Sequence, residues 1–229
     1  MMEQCVKCDT PLVKMKTEMQ AILMDHVIKI SNAEKDLGVV ITDDLRWDEQ
    51  VRAATAKARR AAHSLSRALV SKDMQTWTNL YRTFIRPHIE YASSAWIPHL
   101  SSHLTALGSV QRWFTRQIPG FGHLQHTERY HNCGLQTIEE RRDRGVAIET
   151  FKILTDRSGV RKDIIRLQDH DHETQGRNKG NLQHEKPNKD LRKNTFATLA
   201  PIIWDSIDIN TRNATSVKNF KNLYDQSHR

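Results

Sequence analysis

One stretch constrains this chain more than any other: Leu80-Tyr-Arg-Thr-Phe-Ile-Arg-Pro-His-Ile-Glu-Tyr-Ala-Ser-Ser-Ala-Trp96, residues 80–96. With only 38% hydrophobic and 7% aromatic content, the chain can bury a core only where its apolar residues concentrate. They concentrate here. Met74, Trp77, Leu80, Tyr81, Phe84 and Ile85 recur at helical spacing and predict a broad apolar face after a cap at Ser71. At that spacing the rings of residues 77–96, including Tyr91 and Trp96, read as scaffold rather than as platforms for bases. Arg82 and Arg86 lie one turn apart, away from that face. Pro87 lacks an amide hydrogen and clashes with the turn before it, which predicts a kink or break. Helix then resumes over Ile89–Trp96 and stops before Pro98.

The flanks are helical as well. Asp48–Val70 is amphipathic: Val51, Ala54, Ala58, Ala61, Leu65 and Leu69 share one face, and Arg52, Arg59, His63 and Arg67 the other, with Arg60 beside them. Its alanines permit a close helical neighbour. Ser102–Ile118 buries Leu104, Leu107, Val110 and Phe114 and leaves Arg112 and Arg116 outside, before Pro119-Gly120 ends it. A short helix over Thr127–Cys133 closes on Gly134. Thr137-Ile-Glu-Glu140 is a capping box opening a helix to Leu154, buried from Val146 onward.

The termini contribute less. Residues 1–26 show no clear period. Val27–Ile30 and Leu37–Ile41 are β-like runs around a polar turn at Ser31–Lys35 and could pair as a hairpin. Residues 168–193 hold only Leu182 and Leu191 as aliphatics, which predicts a flexible linker. Two short helices follow, over Phe196–Ile207 and Ser216–Tyr224. The expected fold is mainly α: a helical bundle over 27–167 led by a short β-hairpin, then the linker, then a helical extension over 194–229.

A formal charge of +8 and a pI near 9.5 favour an anionic partner, nucleic acid before an acidic membrane surface. No apolar run reaches the 18 or so residues that spanning a bilayer needs. No charged head precedes an apolar stretch at the N-terminus, and three cysteines, Cys5, Cys8 and Cys133, make no disulfide framework. An intracellular, reducing setting is expected, in nucleus or cytoplasm.

Several motifs in a fixed order resemble one family. They are Lys35-Asp-Leu-Gly-Val-Val-Ile41, Asp44-Leu, the Ala/Arg-rich helix, Leu80-Tyr, Ile85-Arg-Pro-His-Ile-Glu-Tyr-Ala92 and Trp96-Ile-Pro98. Val110-Gln-Arg112, Ile118-Pro-Gly120, Leu135, Glu139-Glu-Arg-Arg142 and Glu149-Thr-Phe-Lys152 continue the series, and Phe196, Trp204 and Ser216-Val-Lys-Asn-Phe-Lys221 close it. Together they resemble the region after the polymerase palm in reverse transcriptases of non-LTR, jockey-type retrotransposons. The resemblance is strong over 27–155 and weaker over 195–224. It implies a thumb and its C-terminal extension, gripping template and primer beside a palm carried elsewhere. A thumb supplies phosphate and sugar contacts rather than chemistry. On that reading Arg52, Arg59, Arg60, Arg67, Arg82, Arg86, Arg112 and Arg116 are the candidate contacts to RNA or DNA.

No catalytic residue is expected. Polymerase chemistry needs carboxylates holding two metal ions, and Ile41-Thr-Asp-Asp44 resembles such a turn only in letters. It falls within the post-palm motif, after too few residues for fingers and palm, so Asp43 and Asp44 read as a turn or cap. Cys5-x-x-Cys8 with His26, and His123, His126, His131 and Cys133, have ligand-like spacing without a completed set, so neither metal nor cofactor is expected. Asp169-His-Asp-His-Glu173 reads as a solvated charge run. Two other readings stand beside the nucleic-acid one: a helical protein-interaction module, and a translated transposon remnant without function.

Overall fold

The computed structural model describes residues 21–23, 26–28, 31–98, 100–160, 164–165, 182–184 and 195–228, with 21–23 and 26–28 as backbone. Cys5, Cys8, the Asp169–Glu173 run and most of the segment read as a linker lie outside the described residues. The fold is mainly helical, with short antiparallel β-structure at its start.

That β-structure is two hairpins rather than one. Strand β1 (Ala21–Leu23) pairs with β2 (His26–Ile28), and β3 (Ala33–Asp36) with β4 (Val39–Thr42). The two runs expected to pair with each other therefore belong to different hairpins, and the supposed polar turn is largely strand β3. The real turn is Leu37-Gly38, both at positive φ (43° and 88°), the mirror-image turn whose twist suits a two-residue hairpin. Gly38 supplies the conformation and leaves room for the Tyr91 ring, which would lie 3.4 Å from an added Cβ. Tyr91 also donates its hydroxyl to the Leu37 carbonyl at 2.8 Å, and the Val40 amide donates to Gln50 Oε1 at 2.9 Å. These bonds fix the hairpin to the helices behind it.

Helix α1 (Asp48–Ala68) buries Val51, Ala54, Ala58 and Ala62. Asp48 and Glu49 open it and Arg67 closes it, each sign matched to the helix dipole. The next helix is capped by Asp73, not Ser71: its carboxylate accepts from the Thr76 amide at 3.0 Å. From there α2 (Met74–Leu80) passes into one π-helical turn (Tyr81–Ile85) and then α3 (Arg86–Glu90) without interruption. Of the kink or break expected at Pro87, the break does not occur. The Arg86 amide reaches back five residues to the Tyr81 carbonyl, and this widened turn accommodates the proline ring and its missing donor.

Helix does not resume to Trp96. Glu90 ends α3, and a tight turn follows in which Ser93 donates to the Glu90 carbonyl at 3.1 Å and Ala92 takes φ 52°. Trp96 is held by its own indole, which donates to the Tyr91 carbonyl at 2.8 Å. Trp77, Tyr81 and Trp96 are buried, whereas Phe84 and Tyr91 are exposed, which corrects their expected place in the scaffold.

The remaining helices are α4 (Ser101–Arg116), α5 (His126–Cys133), α6 (Ile138–Leu154), α7 (Phe196–Ser206), α8 (Ile209–Arg212) and α9 (Val217–Ser227). Gly134 ends α5 in the left-handed region at φ 57°, and both bonds of the Thr137–Glu140 capping box are formed. One core cluster joins Val39, α1, the 77–96 stretch, α4 and the start of α6. A second joins Ile97, the last two turns of α6 and the C-terminal helices. Within the segment read as a linker, Leu182 is buried in that second cluster and its amide donates to Asp205 at 3.2 Å.

Candidate nucleic-acid interface

Helices α1 and α4 make the most extensive helix–helix contact of the bundle. Ala54, Ala58 and Ala62 present almost no side chain, so Leu107, Val110 and Phe114 approach the α1 backbone closely. The pairings Asp48–His103, Arg59–Ser109 and His63–Trp113 rise together in number, so the two helices run parallel. Parallel packing sets the outer faces of both helices along one ridge.

On that ridge Arg59, Arg60 and Arg67 of α1 and Arg116 of α4 are exposed. None pairs with a carboxylate among the described residues. Arg59 donates to the Ser109 hydroxyl at 3.0 Å, an uncharged partner that leaves its charge uncompensated. Between them the His63 ring lies against Trp113, centroids 4.3 Å apart. Lys72 anchors one end by reaching Ser66 at 3.2 Å and Gln117 at 3.5 Å. Cations flanking a partly exposed aromatic pair are what a single strand needs, phosphates on the arginines and a base against the rings.

The eight candidate arginines do not form one surface. Arg52 is held by Glu49 at 2.6 Å on the exposed face of α1. Arg112 turns back to the Thr105 carbonyl of its own helix at 2.8 Å. Arg82 donates to the Cys133 and Gly134 carbonyls, at 3.2 and 2.8 Å, and so closes the end of α5. Arg82 and Arg86 line a cavity of about 800 Å³ between the π-turn, α5 and the start of α6. Burial, and then the neighbouring Arg141, push the Arg86 guanidinium below its ordinary pKa. Burial also raises Tyr130 on the same wall to about 12, so its hydroxyl stays protonated.

Sequence reasoning missed Trp113. The register that sets it against His63 belongs to the pairing of two helices. The other candidates are placed as follows. The Asp44 carboxyl accepts from the Thr42 hydroxyl at 2.7 Å and the Arg46 amide at 3.0 Å, which hold it below the usual carboxylate range. It closes a local turn. Burial raises the Cys133 thiol, and His126 lies edge-on to Tyr130. Among the described residues no group of three or more His, Cys, Asp or Glu side chains is placed to hold a metal ion, and no helix is long and apolar enough to cross a membrane.

No family model, curated protein or solved structure matches the chain.

Proposed function

We propose that this chain is the thumb-like, post-palm part of a non-LTR retrotransposon reverse transcriptase, and that it holds RNA or DNA non-specifically without performing chemistry itself. The family part of this reading rests on the ordered motifs between residues 35 and 152. The binding part is carried by one observation: Arg59, Arg60, Arg67 and Arg116 stand exposed and uncompensated around the His63–Trp113 pair. A net charge of +8 adds long-range attraction for polyanions. A palm-bearing polypeptide would supply the catalytic carboxylates.

Titration with an RNA–DNA hybrid across salt concentrations tests the binding. Each arginine that neutralises a phosphate contributes about 0.9 to the slope of log K against log salt. Converting Arg59, Arg60 and Arg67 to alanine together should therefore flatten the slope by about 2 to 3. Trp113→Ala should weaken single-stranded ligands more than duplex, by about 1–3 kcal/mol for one stacked base. An unchanged slope in the triple variant refutes the ridge.

A second reading, a protein-interaction module, is favoured by an apolar cavity of about 550 Å³ lined by Trp47, Ile97, Ile153 and Phe196. Its check is a partner that survives nuclease treatment and is lost on Phe196→Asp.

A further inference from the structure

The cavity beneath the π-turn carries an unresolved charge. Four arginines and three carboxylates line it. Arg141 grips Glu90 through two bonds of 2.9 and 2.7 Å, and Arg144 grips Asp225 through bonds of 2.5 and 2.7 Å. Glu140 is turned to the Thr137 amide at 2.9 Å. Two of the three carboxylates are thus held chiefly by Arg141 and Arg144, and the third faces a backbone amide. Arg82 meets only neutral carbonyls, and Arg86 shares Glu90 with Arg141 as a longer ion pair, 3.8 Å from the nearest oxygen and beyond hydrogen-bonding distance. Two like charges a helical turn apart repel each other, and Arg86 is half-buried, where water screens it less.

We propose that this cavity is a phosphomonoester site, taking a terminal phosphate carried on a nucleoside-sized body, with Arg82 and Arg86 on the phosphate. Four guanidiniums against three carboxylates leave the wall a net positive charge. A group that carries nearly −2 near neutral pH would meet Arg82, which no carboxylate pairs among the described residues, and Arg86, whose pairing with Glu90 is long. A volume of about 800 Å³ exceeds what phosphate alone fills and suits a mononucleotide. Tyr130, Leu135 and Ile138 offer the apolar wall against which the body rests. The same chemistry could arrive as a free nucleotide or as the phosphorylated end of a strand. The site is separate from the ridge and stands without it.

The test is calorimetric titration of the full chain at low ionic strength with adenosine 5′-monophosphate, adenosine, inorganic phosphate, and a short oligonucleotide with a 5′-phosphate or a 5′-hydroxyl. The expected result is binding of the monophosphate, competition by inorganic phosphate, and none by adenosine. Arg86→Gln should weaken the monophosphate about 10- to 100-fold. Leu135→Trp should block it by narrowing the cavity without changing a charge, and Lys218→Gln, an exposed position on α9, should leave it unaltered. A preference of the 5′-phosphorylated oligonucleotide over the monophosphate identifies a strand end as the source. The reverse identifies a free nucleotide. If neither phosphate-bearing ligand binds, or if both Arg86→Gln and Leu135→Trp bind like the original chain, the proposal is overturned. Loss of hybrid binding through the ridge arginines is a separate readout, because a mononucleotide is too small to bridge those side chains.

Discussion

Beneath residues 80–96 the core sets large rings against alanine, while under the C-terminal helices it sets ring against ring. In the first cluster Ala54, Ala58 and Ala62 face Phe114, which stacks on Trp77 at 4.3 Å between centroids and 2° between planes. In the second, Phe220 touches three rings: Phe151 at 4.5 Å, Trp204 at 6.1 Å and Tyr224 at 6.1 Å. The first spreads its packing over several helices that are close in sequence. The second depends on one residue near the end of the chain, meeting a helix some 70 positions earlier (Phe151 to Phe220). The two clusters should therefore fail differently.

The largest effect separates them. Trp77→Ala and Phe220→Ala each empty a fully buried aromatic site, at a cost of about 3–5 kcal/mol. Trp77→Ala also removes the indole bond to the Phe114 carbonyl at 2.9 Å, leaving that oxygen the Gln117 amide alone at 3.2 Å. We expect Trp77→Ala to lower the urea midpoint of the whole molecule. Phe220→Ala should instead split unfolding into two phases, with Trp204 fluorescence changing before the far-ultraviolet helix signal. A single coincident transition in Phe220→Ala would show one cooperative unit and remove the distinction.

A smaller effect asks whether charge fastens the second cluster as rings do. Arg144 on α6 and Asp225 on α9 form a two-pronged pair with the guanidinium largely buried. Arg144→Gln removes the guanidinium charge from this pair, which in a partly solvated setting costs about 1–2 kcal/mol. Hydrogen exchange should quicken over residues 217–227 and stay unchanged over α1. Faster exchange in both would mean that α9 also braces the first cluster.

The unequal legibility of the two clusters has the same origin. Within the first, periodicity alone found α1, α4, the stop at Gly134 and the capping box at Thr137, because each is set by side chains a turn apart. It failed where a three-dimensional answer replaced a local one. Pro87 is absorbed by a wider turn rather than a break. Phe84 points outward although it keeps helical spacing with Leu80 and Tyr81. Trp113 meets His63 through a register that neither helix encodes alone. The second cluster was visible only as separate helices. Nothing local links Phe151 to Phe220, or reveals that Leu182 is buried in the same cluster. Of the eight arginines, sequence could place them on outer faces but could not see that Arg82 caps a neighbouring helix or that Arg86 enters a cavity.

Caps come next in size and compare the clusters at equal chemistry. Asp73 opens α2 in the first and Ser216 opens α9 in the second, each accepting from the amide three residues on, at 3.0 and 3.1 Å. Replacing either by alanine costs about 1 kcal/mol. The loss at Ser216 should be confined to the phase reported by Trp204. Ser71→Ala, at the cap favoured by pattern alone, should change thermal stability by no more than a few tenths of a kcal/mol.

The smallest effect is a slope in acid, and it too should fall unevenly. Three of the depressed carboxyls lie around the first cluster. The Thr42 hydroxyl lowers Asp44, the His103 ring at 2.9 Å lowers Asp48, and the Thr76 amide lowers Asp73. Among the described residues only Asp208, lowered by Thr211, serves the second. A carboxyl whose folded pKa is depressed binds fewer protons than the unfolded chain does. Its contribution is therefore complete above the ordinary value of 3.8 and is lost as pH falls through the lower folded values. These groups lie at the surface, so the loss is modest and is read as a slope rather than an energy. Melting followed between about pH 5 and about pH 3 should show the first-cluster phase falling more steeply than the Trp204 phase. Asp73→Asn isolates the cause, since asparagine caps nearly as well but does not titrate. The variant should match the original chain at the upper pH and lose less at the lower. An identical slope in the two proteins would assign the acid response to groups other than the cap.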